Sequence, residues 1–302
     1  MSELKIGMIG YDTSHVIAFA DLFNNPDNPH YVPGGRVVCG WPGGSKDMPV
    51  SIDRVDGFKK DLEEKHGLKT LDSIEAVAEA SDAVLLESVD GRVHLEQFEK
   101  LAPAGKPVFI DKPFTVALDD AKAICELAQK HNVPFFSTSS LRYDANICKA
   151  ITDGENGAIV GCETYGPAHF APPTPGLFWY GCHSADVLFS AMGPGCKSVT
   201  CLGNDDVDVV VGKWQDGRIG VLRGLRKGHE TFGCLLYREK AIQQVSTNPD
   251  IPYYAELCRR VMAMFQGGNP PITPQEMTEV VAFLEAANTS KTKGGKEIEI
   301  TL

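Results

Sequence analysis

Apolar runs alternate with amphipathic stretches along the first half of the chain. Residues 4–9 form a short apolar run, and residues 14–24 carry apolar side chains at the spacing of a helix face. The alternation predicts strands at residues 4–9, 36–41, 68–70, 83–87, 107–110 and 133–137. Between them it predicts helices at residues 14–24, 52–66, 92–101 and 118–131, and a further helix that begins with a capping box of Asp72 and Glu75.

Strands that alternate with helices at this spacing are typical of βαβ units in a parallel sheet. Six such strands with right-handed crossovers predict a Rossmann-type, doubly wound α/β domain over residues 1–138. Ligands of this fold bind outside the carboxyl ends of the strands. The residues that directly follow each strand are therefore the first candidates for chemistry.

The pattern changes after about residue 139, where β-rich runs dominate. Such runs occupy residues 207–214, 217–225 and 232–236, and Asp216-Gly217 predicts a hairpin between the first two. Helices are expected at residues 184–192, 254–265 and 274–290. This half predicts an α+β domain with a largely antiparallel sheet over residues 139–302, which would carry the substrate and oligomerisation surfaces.

The loop after the first strand has the sequence Gly-Tyr-Asp-Thr-Ser-His over residues 10–15. A dinucleotide fingerprint would have glycine at positions 10, 12 and 15, and here only Gly10 is present. A carboxylate at Asp12 would repel a pyrophosphate unless it were displaced or neutralised. Two interpretations remain open for Asp12, Thr13 and Ser14, namely helix capping alone or capping together with contact to a ligand.

The loop after the second strand has no acidic residue directly behind the strand, where NAD sites place one for the ribose diol. Ser45 and Lys46 could instead bind a 2′-phosphate, which would favour NADP. The alternative is a solvated glycine-rich turn. The sequence therefore leaves both nucleotides open.

Lys112 follows the fifth predicted strand directly and precedes Pro113, whose peptide bond could be cis. An amine just beyond a buried strand is partly desolvated, which favours the neutral form that can exchange protons. The alternative is a lysine in a surface ion pair. Polar residues also follow the fourth strand, among them Ser88, Asp90 and His94.

Charge and composition exclude several classes of partner. The formal net charge is -11 without a basic cluster, which argues against nucleic acid and anionic membranes. No apolar run approaches the ~20 residues of a membrane span, and residues 1–9 do not resemble a signal peptide. The nine cysteines are scattered and form no C-x-x-C pair, which is typical of reduced thiols in a cytoplasmic protein.

Three motifs resemble those of the Gfo/Idh/MocA oxidoreductases, and the resemblance extends over nearly the whole chain. Residues 111–113, Asp-Lys-Pro, resemble the family's Glu-Lys-Pro motif and follow its Ala-Gly-Lys-Pro-Val lead-in at residues 104–108. Residues 139–143 are similar to the segment at the family's domain junction. Residues 181–186 resemble its Gly-x-His-x-x-Asp motif. The start Gly-x-Asp-Thr-Ser-His points to a subgroup.

The resemblance implies an oxidoreductase that uses NAD or NADP to move hydride to or from a secondary alcohol of a sugar, cyclitol or related polyol. Lys112 matches the family lysine that assists proton transfer, and His183 matches the catalytic histidine. Trp179 stands where the family has an aspartate four residues before that histidine. The family also implies an open-faced sheet covered by another subunit, so we expect a homo-oligomer, a dimer or tetramer.

The expected site has three parts. Catalysis is assigned to Lys112 and His183. Cofactor contacts are expected from Gly10, Asp12, Thr13, Ser14, His15, Ser45, Lys46, Ser88 and Asp111. Substrate contacts are expected from Asp90, His94, Arg142, His169, Trp179 and Tyr180, although His169 could equally be a hydrogen-bonded loop histidine.

Two other functions compete with this interpretation. The first is a non-redox ligand-binding or regulatory protein on the same scaffold, which Asp12 and Trp179 favour. The second is a metal-dependent lyase or hydrolase that uses His15, His169 and His183. Because no local H-x-x-x-H spacing supports a metal centre, the sequence predicts none.

Overall fold

The computed structural model describes residues 3–302. The first part of the chain contains β1 (Leu4–Ile9), α1 (His15–Asn24), β2 (Gly35–Trp41), α2 (Pro49–His66), β3 (Lys69–Thr70), α3 (Ile74–Ala80), β4 (Ala83–Leu86), α4 (His94–Leu101), β5 (Val108–Ile110), α5 (Leu118–His131) and β6 (Phe135–Ser137). The second part contains α6 (Ala145–Thr152), β7 (Ile159–Pro167), α7 (Gly181–Met192), β8 (Cys196–Gly203), β9 (Val207–Trp214), β10 (Ile219–Leu225), β11 (Gly233–Arg238), β12 (Ile242–Ser246), α8 (Tyr253–Phe265), α9 (Pro274–Thr292) and β13 (Ile298–Glu299).

The first sheet has the strand order β3-β2-β1-β4-β5-β6. Every neighbouring pair in it is parallel. The order reverses direction at β1 and β4, which is where ligands bind in folds of this kind. The predicted doubly wound parallel sheet is therefore confirmed.

The second sheet has the strand order β12-β11-β7-β10-β9-β8-β13. Its pairs are antiparallel except β7 with β10. One face is covered by α7 and α9, whose apolar side chains are buried. The predicted α+β domain with a largely antiparallel sheet is confirmed, and so is the hairpin at Gly217 between β9 and β10.

The chain divides into two compact units. The Rossmann unit contains the residues up to Thr115, together with Asp119–Thr138 and Tyr254–Thr273. The sheet unit contains Val116–Leu118, Ser139–Tyr253 and Pro274–Leu302. Most of α8, which was expected in the second domain, thus packs in the first unit, where Tyr254 lies against Phe19 with ring centroids 5.9 Å apart.

Local signals placed most element ends correctly. Gly67 ends α2 with a positive φ of 70°, and the acidic start of α5 lies at its positive end. The expected capping box of Asp72 and Glu75 is wrong, because Ser73 is the N-cap of α3 and accepts a hydrogen bond from Ala76 N. Within residues 3–302, each helix is too short or too polar to cross a bilayer.

Gly10 allows β1 to turn sharply at the sheet edge. Its φ is 85°, and a Cβ there would lie 2.5 Å from the main-chain nitrogen of Ser88. Any other residue would therefore suffer both backbone strain and a clash with the main chain behind β4. This close contact holds the loop of residues 10–15 against the end of β4.

We expect Gly10→Ala to lower Tm by several degrees, because the left-handed conformation costs about 1–2 kcal/mol and overpacking adds about 1–3 kcal/mol. Gly217→Ala is the matched control, since Gly217 has a φ of 88° and a Cβ there would meet none of the described atoms within 4 Å. Thermal unfolding followed by circular dichroism measures both variants. Equal losses of Tm in the two variants would exclude a role for the contact with Ser88.

Candidate functional site

Ionisable and polar side chains crowd the carboxyl edge of the parallel sheet. Asp12 follows β1, Glu87 and Ser88 follow β4, and Asp111 and Lys112 follow β5. All are buried, with exposed fractions between 0% for Glu87 and 9% for Lys112. The Lys112-Pro113 peptide bond is cis. The structure thus brings together residues that the sequence placed behind three separate strands.

Asp12 is held inside the Rossmann unit by two donors. The main-chain nitrogen of Val89 donates to one carboxylate oxygen at 3.0 Å, and the Ser51 hydroxyl donates to the other. Burial raises the pKa of Asp12 above its usual value, although both hydrogen bonds oppose the shift. Asp12 therefore links the loop after β1 to α2 and to the loop after β4, and it does not cap α1.

Few side-chain hydrogen bonds cap the N-terminus of α1. Ser14 is the exposed N-cap residue, and its side chain makes no capping hydrogen bond within the described chain. The hydroxyl of the buried Thr13 accepts a long 3.4 Å hydrogen bond from His15 N. Capping alone thus does not account for the polar sequence of this loop.

His15 and Asp111 form the central hydrogen bond of the edge, with 2.7 Å between His15 Nδ1 and Asp111 Oδ2. The His15 ring also lies 4.9 Å from the ring of Tyr254, centroid to centroid. Burial would raise the pKa of Asp111, but the charge and hydrogen bond of His15, with Lys112 next, lower it overall. The pair ties the start of α1 to the end of β5.

Glu87 is the fully buried residue that the sequence analysis missed. Burial raises its pKa well above the usual value, and the neighbouring charge of Asp111 adds to the shift. Neither carboxylate oxygen has a hydrogen-bond partner among residues 3–302. The signal was present, since an acidic residue ends the apolar run of residues 83–86, but nothing local showed that it points inward.

The loops after β2 and β4 are joined by a polar network around Asp90. The Ser45 hydroxyl donates to Asp90 at 2.6 Å, and the Arg92 guanidinium donates to it from two nitrogens. Arg92 also forms two hydrogen bonds to the exposed Asp47, at 2.9 and 2.8 Å. Lys46 is exposed. Ser45 therefore lies beside a carboxylate, and this loop is not merely a solvated turn.

His94 is a fully buried residue at the start of α4. Its Nδ1 lies 2.9 Å from the carbonyl oxygen of Phe114, and its Nε2 lies 2.7 Å from that of Ser88. The ring therefore joins the loop after β4 to the loop after β5. With both nitrogens occupied by main-chain acceptors, His94 acts as a support for these loops, which differs from the substrate contact expected of it.

The sheet unit has its own buried polar cluster at the start of α7. His183 Nδ1 lies 2.7 Å from the hydroxyl of Ser139, and the Asp186 carboxylate accepts a hydrogen bond from Ser139 N. Arg142 binds Asp186 and also Glu276, each at 2.6 Å. Burial would lower the pKa of Arg142, but the two carboxylates raise it. Arg142 is thus engaged in a buried ion-pair network.

The other candidates of the sheet unit lie near His183. Tyr180 and His183 have ring centroids 5.5 Å apart, and Trp179 lies 6.1 Å from Tyr180. Both aromatic residues are half-buried. His169 is 49% exposed at its side chain and pairs with Glu230 at 2.7 Å, as the interpretation of a hydrogen-bonded loop histidine expects.

Sequence comparison connects the Rossmann unit with known proteins. Residues 51–139 match the model of the GFO_IDH_MocA oxidoreductase family, which has an NAD-binding Rossmann fold. A segment of 111 residues is 33% identical to the uncharacterised oxidoreductase YhhX of Escherichia coli K12 and covers 33% of this chain. The part of the Rossmann unit over residues 51–139 is thus similar to the Gfo/Idh/MocA oxidoreductases. The aligned segment covers only 32% of the length of YhhX.

Solved structures of dehydrogenases share the fold over nearly the full chain. The myo-inositol 2-dehydrogenase of Lactobacillus plantarum aligns with a TM-score of 0.81 at 16% identity, over 99% of this chain and 100% of that chain. The scyllo-inositol dehydrogenase of Lactobacillus casei, solved with NAD(H) and scyllo-inositol, aligns with a TM-score of 0.78 at 13% identity, over 99% of both chains. At these identities the likeness concerns the fold.

The structure also shows two serines that were missed because their partners are distant in sequence. Ser51 binds Asp12, and Ser139 contacts both His183 and Asp186. Serine is common in loops and at helix starts, so neither position stood out. From the motif of residues 139–143, Arg142 was taken as the candidate residue, and Ser139 was not.

We expect Asp90→Asn to destabilise the protein by about 2–3 kcal/mol at neutral pH, because it breaks a buried pair with the partly exposed Arg92. Burial raises the pKa of Asp90, but Arg92 and Ser45 outweigh it and the pKa is lowered. The stabilisation is therefore present above the ordinary carboxyl pKa of about 4 and is lost as the pH falls through the lower folded-state value. Urea unfolding at neutral and acid pH measures both effects.

Asp47→Asn is the matched control, since Asp47 binds the same guanidinium from the exposed side. Little change is expected because solvent screens that pair. If the two variants lost the same stability at neutral pH, burial of Asp90 would not be the cause.

Proposed function

We propose that this chain is an NAD-dependent oxidoreductase that transfers hydride to or from a secondary alcohol of a sugar, cyclitol or related polyol. The observation that carries the proposal is Lys112, a lysine with 9% exposure directly behind β5 at the carboxyl edge of the parallel sheet. A buried amine at this edge is suited to exchange a proton with a bound hydroxyl. The inositol dehydrogenases that share the fold support the substrate class.

Two observations fit a dinucleotide at this edge. Gly10 lets the main chain approach Ser88, and the buried Ser88 hydroxyl has no hydrogen-bond partner within residues 3–302. The carboxylate of Asp12 is bound by Ser51 and Val89, and these two donors lessen the repulsion expected between Asp12 and a pyrophosphate. The main-chain N–H groups at the start of α1, from Thr13 to His15, would hold the phosphates.

We infer NAD rather than NADP from the loop after β2. The Ser45 hydroxyl already donates to Asp90, so a 2′-phosphate at this hydroxyl would meet a buried carboxylate. Lys46 is exposed on the same loop, and the Arg92 guanidinium is already bound by Asp90 and Asp47. A ribose diol carries no charge and would be tolerated.

The bound nicotinamide would accept or supply the hydride. Lys112 and His183 would take up or return the hydroxyl proton, and Ser139 orients the His183 ring through Nδ1. Arg142 is a positioning residue, since its ion pairs with Asp186 and Glu276 fix the start of α7 on which His183 lies. Trp179 and Tyr180 would shape the surface that a substrate ring contacts.

A second candidate function is a ligand-binding or regulatory protein that does not catalyse redox chemistry. Two substitutions favour it, namely Asp12 at a fingerprint position and Trp179 at the position of the family aspartate. Cofactor binding without turnover on a broad polyol panel would support this function over the first.

We expect Lys112→Met and His183→Asn each to lower kcat by about 10²–10⁴-fold while NAD binding changes little, because each removes a proton-transfer group. NAD is titrated by fluorescence, and turnover is measured as nicotinamide reduction with a panel of sugars and cyclitols. The exposed Lys130 and His229 provide matched controls, Lys130→Met and His229→Asn, which should retain full activity. Failure of the wild-type chain to bind either NAD or NADP would contradict the proposal.

We further propose a homo-oligomer built on the uncovered face of the second sheet. Leu202 of β8 is 62% exposed and Ile219 of β10 is 53% exposed, and Val209, Val211 and Val221 lie between them half-buried. An apolar sheet face of this kind is a liability in water unless another surface covers it. We propose that a second copy of this chain covers the face.

Light scattering is expected to give a dimer or tetramer for the wild-type chain. Leu202→Asp combined with Ile219→Asp should shift the mass towards the monomer, because a charged side chain at each of these two positions opposes burial of the face. Ile52→Asp on α2, a similarly exposed isoleucine of the Rossmann unit, is the control. A monomeric wild-type chain would contradict the proposed oligomer.

A further inference from the structure

We propose that His15, Glu87 and Asp111 form a structural site for a divalent transition-metal ion, held beneath the loop of residues 10–15. The three side chains come from the start of α1, the end of β4 and the end of β5. The inference goes beyond the proposed function and does not depend on it.

The geometry brings one ligand atom from each residue into a single small region. A ring nitrogen of His15 and carboxylate oxygens of Glu87 and Asp111 all lie within 4.8 Å of one another. Bonds of about 2.0–2.2 Å to such ligands allow two ligand atoms on one ion to be at most about 4.4 Å apart. Small side-chain rotations would therefore bring all three ligand atoms within bonding distance of one ion.

Glu87 supplies an independent observation that points to a missing ligand. It is 0% exposed, and across the described residues 3–302 neither of its carboxylate oxygens accepts a hydrogen bond. A buried carboxyl group without partners is costly, and native proteins normally satisfy it. A cation between Glu87 and the hydrogen-bonded pair of His15 and Asp111 would bind the carboxylate oxygens of Glu87. It would also balance the negative charge of Asp111.

The donor set selects the class of ion. Two carboxylates and a neutral imidazole carry a charge of about −2, which one divalent ion neutralises. Imidazole nitrogen favours Zn²⁺ or Fe²⁺, whereas Mg²⁺ and Ca²⁺ prefer sites made of oxygen ligands alone. Mixed nitrogen and oxygen ligands therefore point to a first-row transition metal such as Zn²⁺ or Mn²⁺.

Burial of the ligands points to a structural role for the ion. His15 is 7% exposed, Glu87 0% and Asp111 1%, so a substrate would have little access to a bound metal. An ion that binds the folded chain and not the unfolded one stabilises the fold. The ion would fasten α1 to β4 and β5 and so hold the loop that begins at Gly10.

The test is a metal titration of the full chain. The protein is stripped with a chelator and dialysed, and Zn²⁺ and Mn²⁺ are then titrated by calorimetry with elemental analysis of the product. We expect uptake of about one equivalent of at least one ion and a rise of Tm by several degrees on loading. A crystal of the loaded protein measured at the metal absorption edge should show one anomalous peak between the three side chains. If neither Zn²⁺ nor Mn²⁺ is taken up stoichiometrically, the proposal is overturned.

Glu87→Gln distinguishes a metal ligand from a neutral buried acid, because glutamine has the shape of protonated glutamate but binds metal poorly. The proposal predicts at least a tenfold loss of affinity and loss of the metal-dependent rise in Tm. Glu79→Gln, an exposed change on α3, should leave both unchanged. Unaltered uptake by Glu87→Gln, or a metal-free Glu87→Gln as stable as the loaded wild-type chain, would overturn the assignment. Neither result depends on NAD binding or turnover.

Discussion

Charged groups that are buried where parallel strands end must find partners inside the protein, and the hydrogen bond between His15 and Asp111 is the centre of this constraint. The edge of the sheet collects the residues that follow β1, β4 and β5 because all strands run in the same direction. Asp12 and Asp111 each accept a hydrogen bond from another segment of the chain, whereas Glu87 accepts none among residues 3–302. Pairing of charge thus also determines how the loops are held against one another.

Two further carboxylates follow the same rule. Asp12 is bound by donors from α2 and from the loop behind β4, and Asp90 is bound by Ser45 and Arg92. Apart from Arg92, which is two residues from Asp90, each of these donors is far in sequence from the carboxylate that it binds. The polar loops of the Rossmann unit are therefore a connected support, and the position of Lys112 depends on that support through Asp111 and the loop held by His94.

The fold could be predicted from the sequence because its signals are local. Helical spacing in residues 14–24, apolar runs at the strands, and glycine at Gly67 and Gly217 depend only on near neighbours in the chain. The position of Lys112 behind β5 followed from the same pattern. The partners of Asp12 and the inward direction of Glu87 could not be predicted, since both result from packing between segments that are far apart in sequence. The capping box at Asp72 failed because Ser73 competes for the same role one residue later.

Asp12 also limits how this loop could have changed during evolution. The fingerprint glycine at this position would leave the Val89 amide and the Ser51 hydroxyl without their acceptor, both in buried surroundings. A single substitution towards the common family loop would therefore be unfavourable unless residue 51 and the segment after β4 changed as well. Asp12, Ser51 and the segment after β4 therefore constrain one another, and a change in one of them calls for changes in the others.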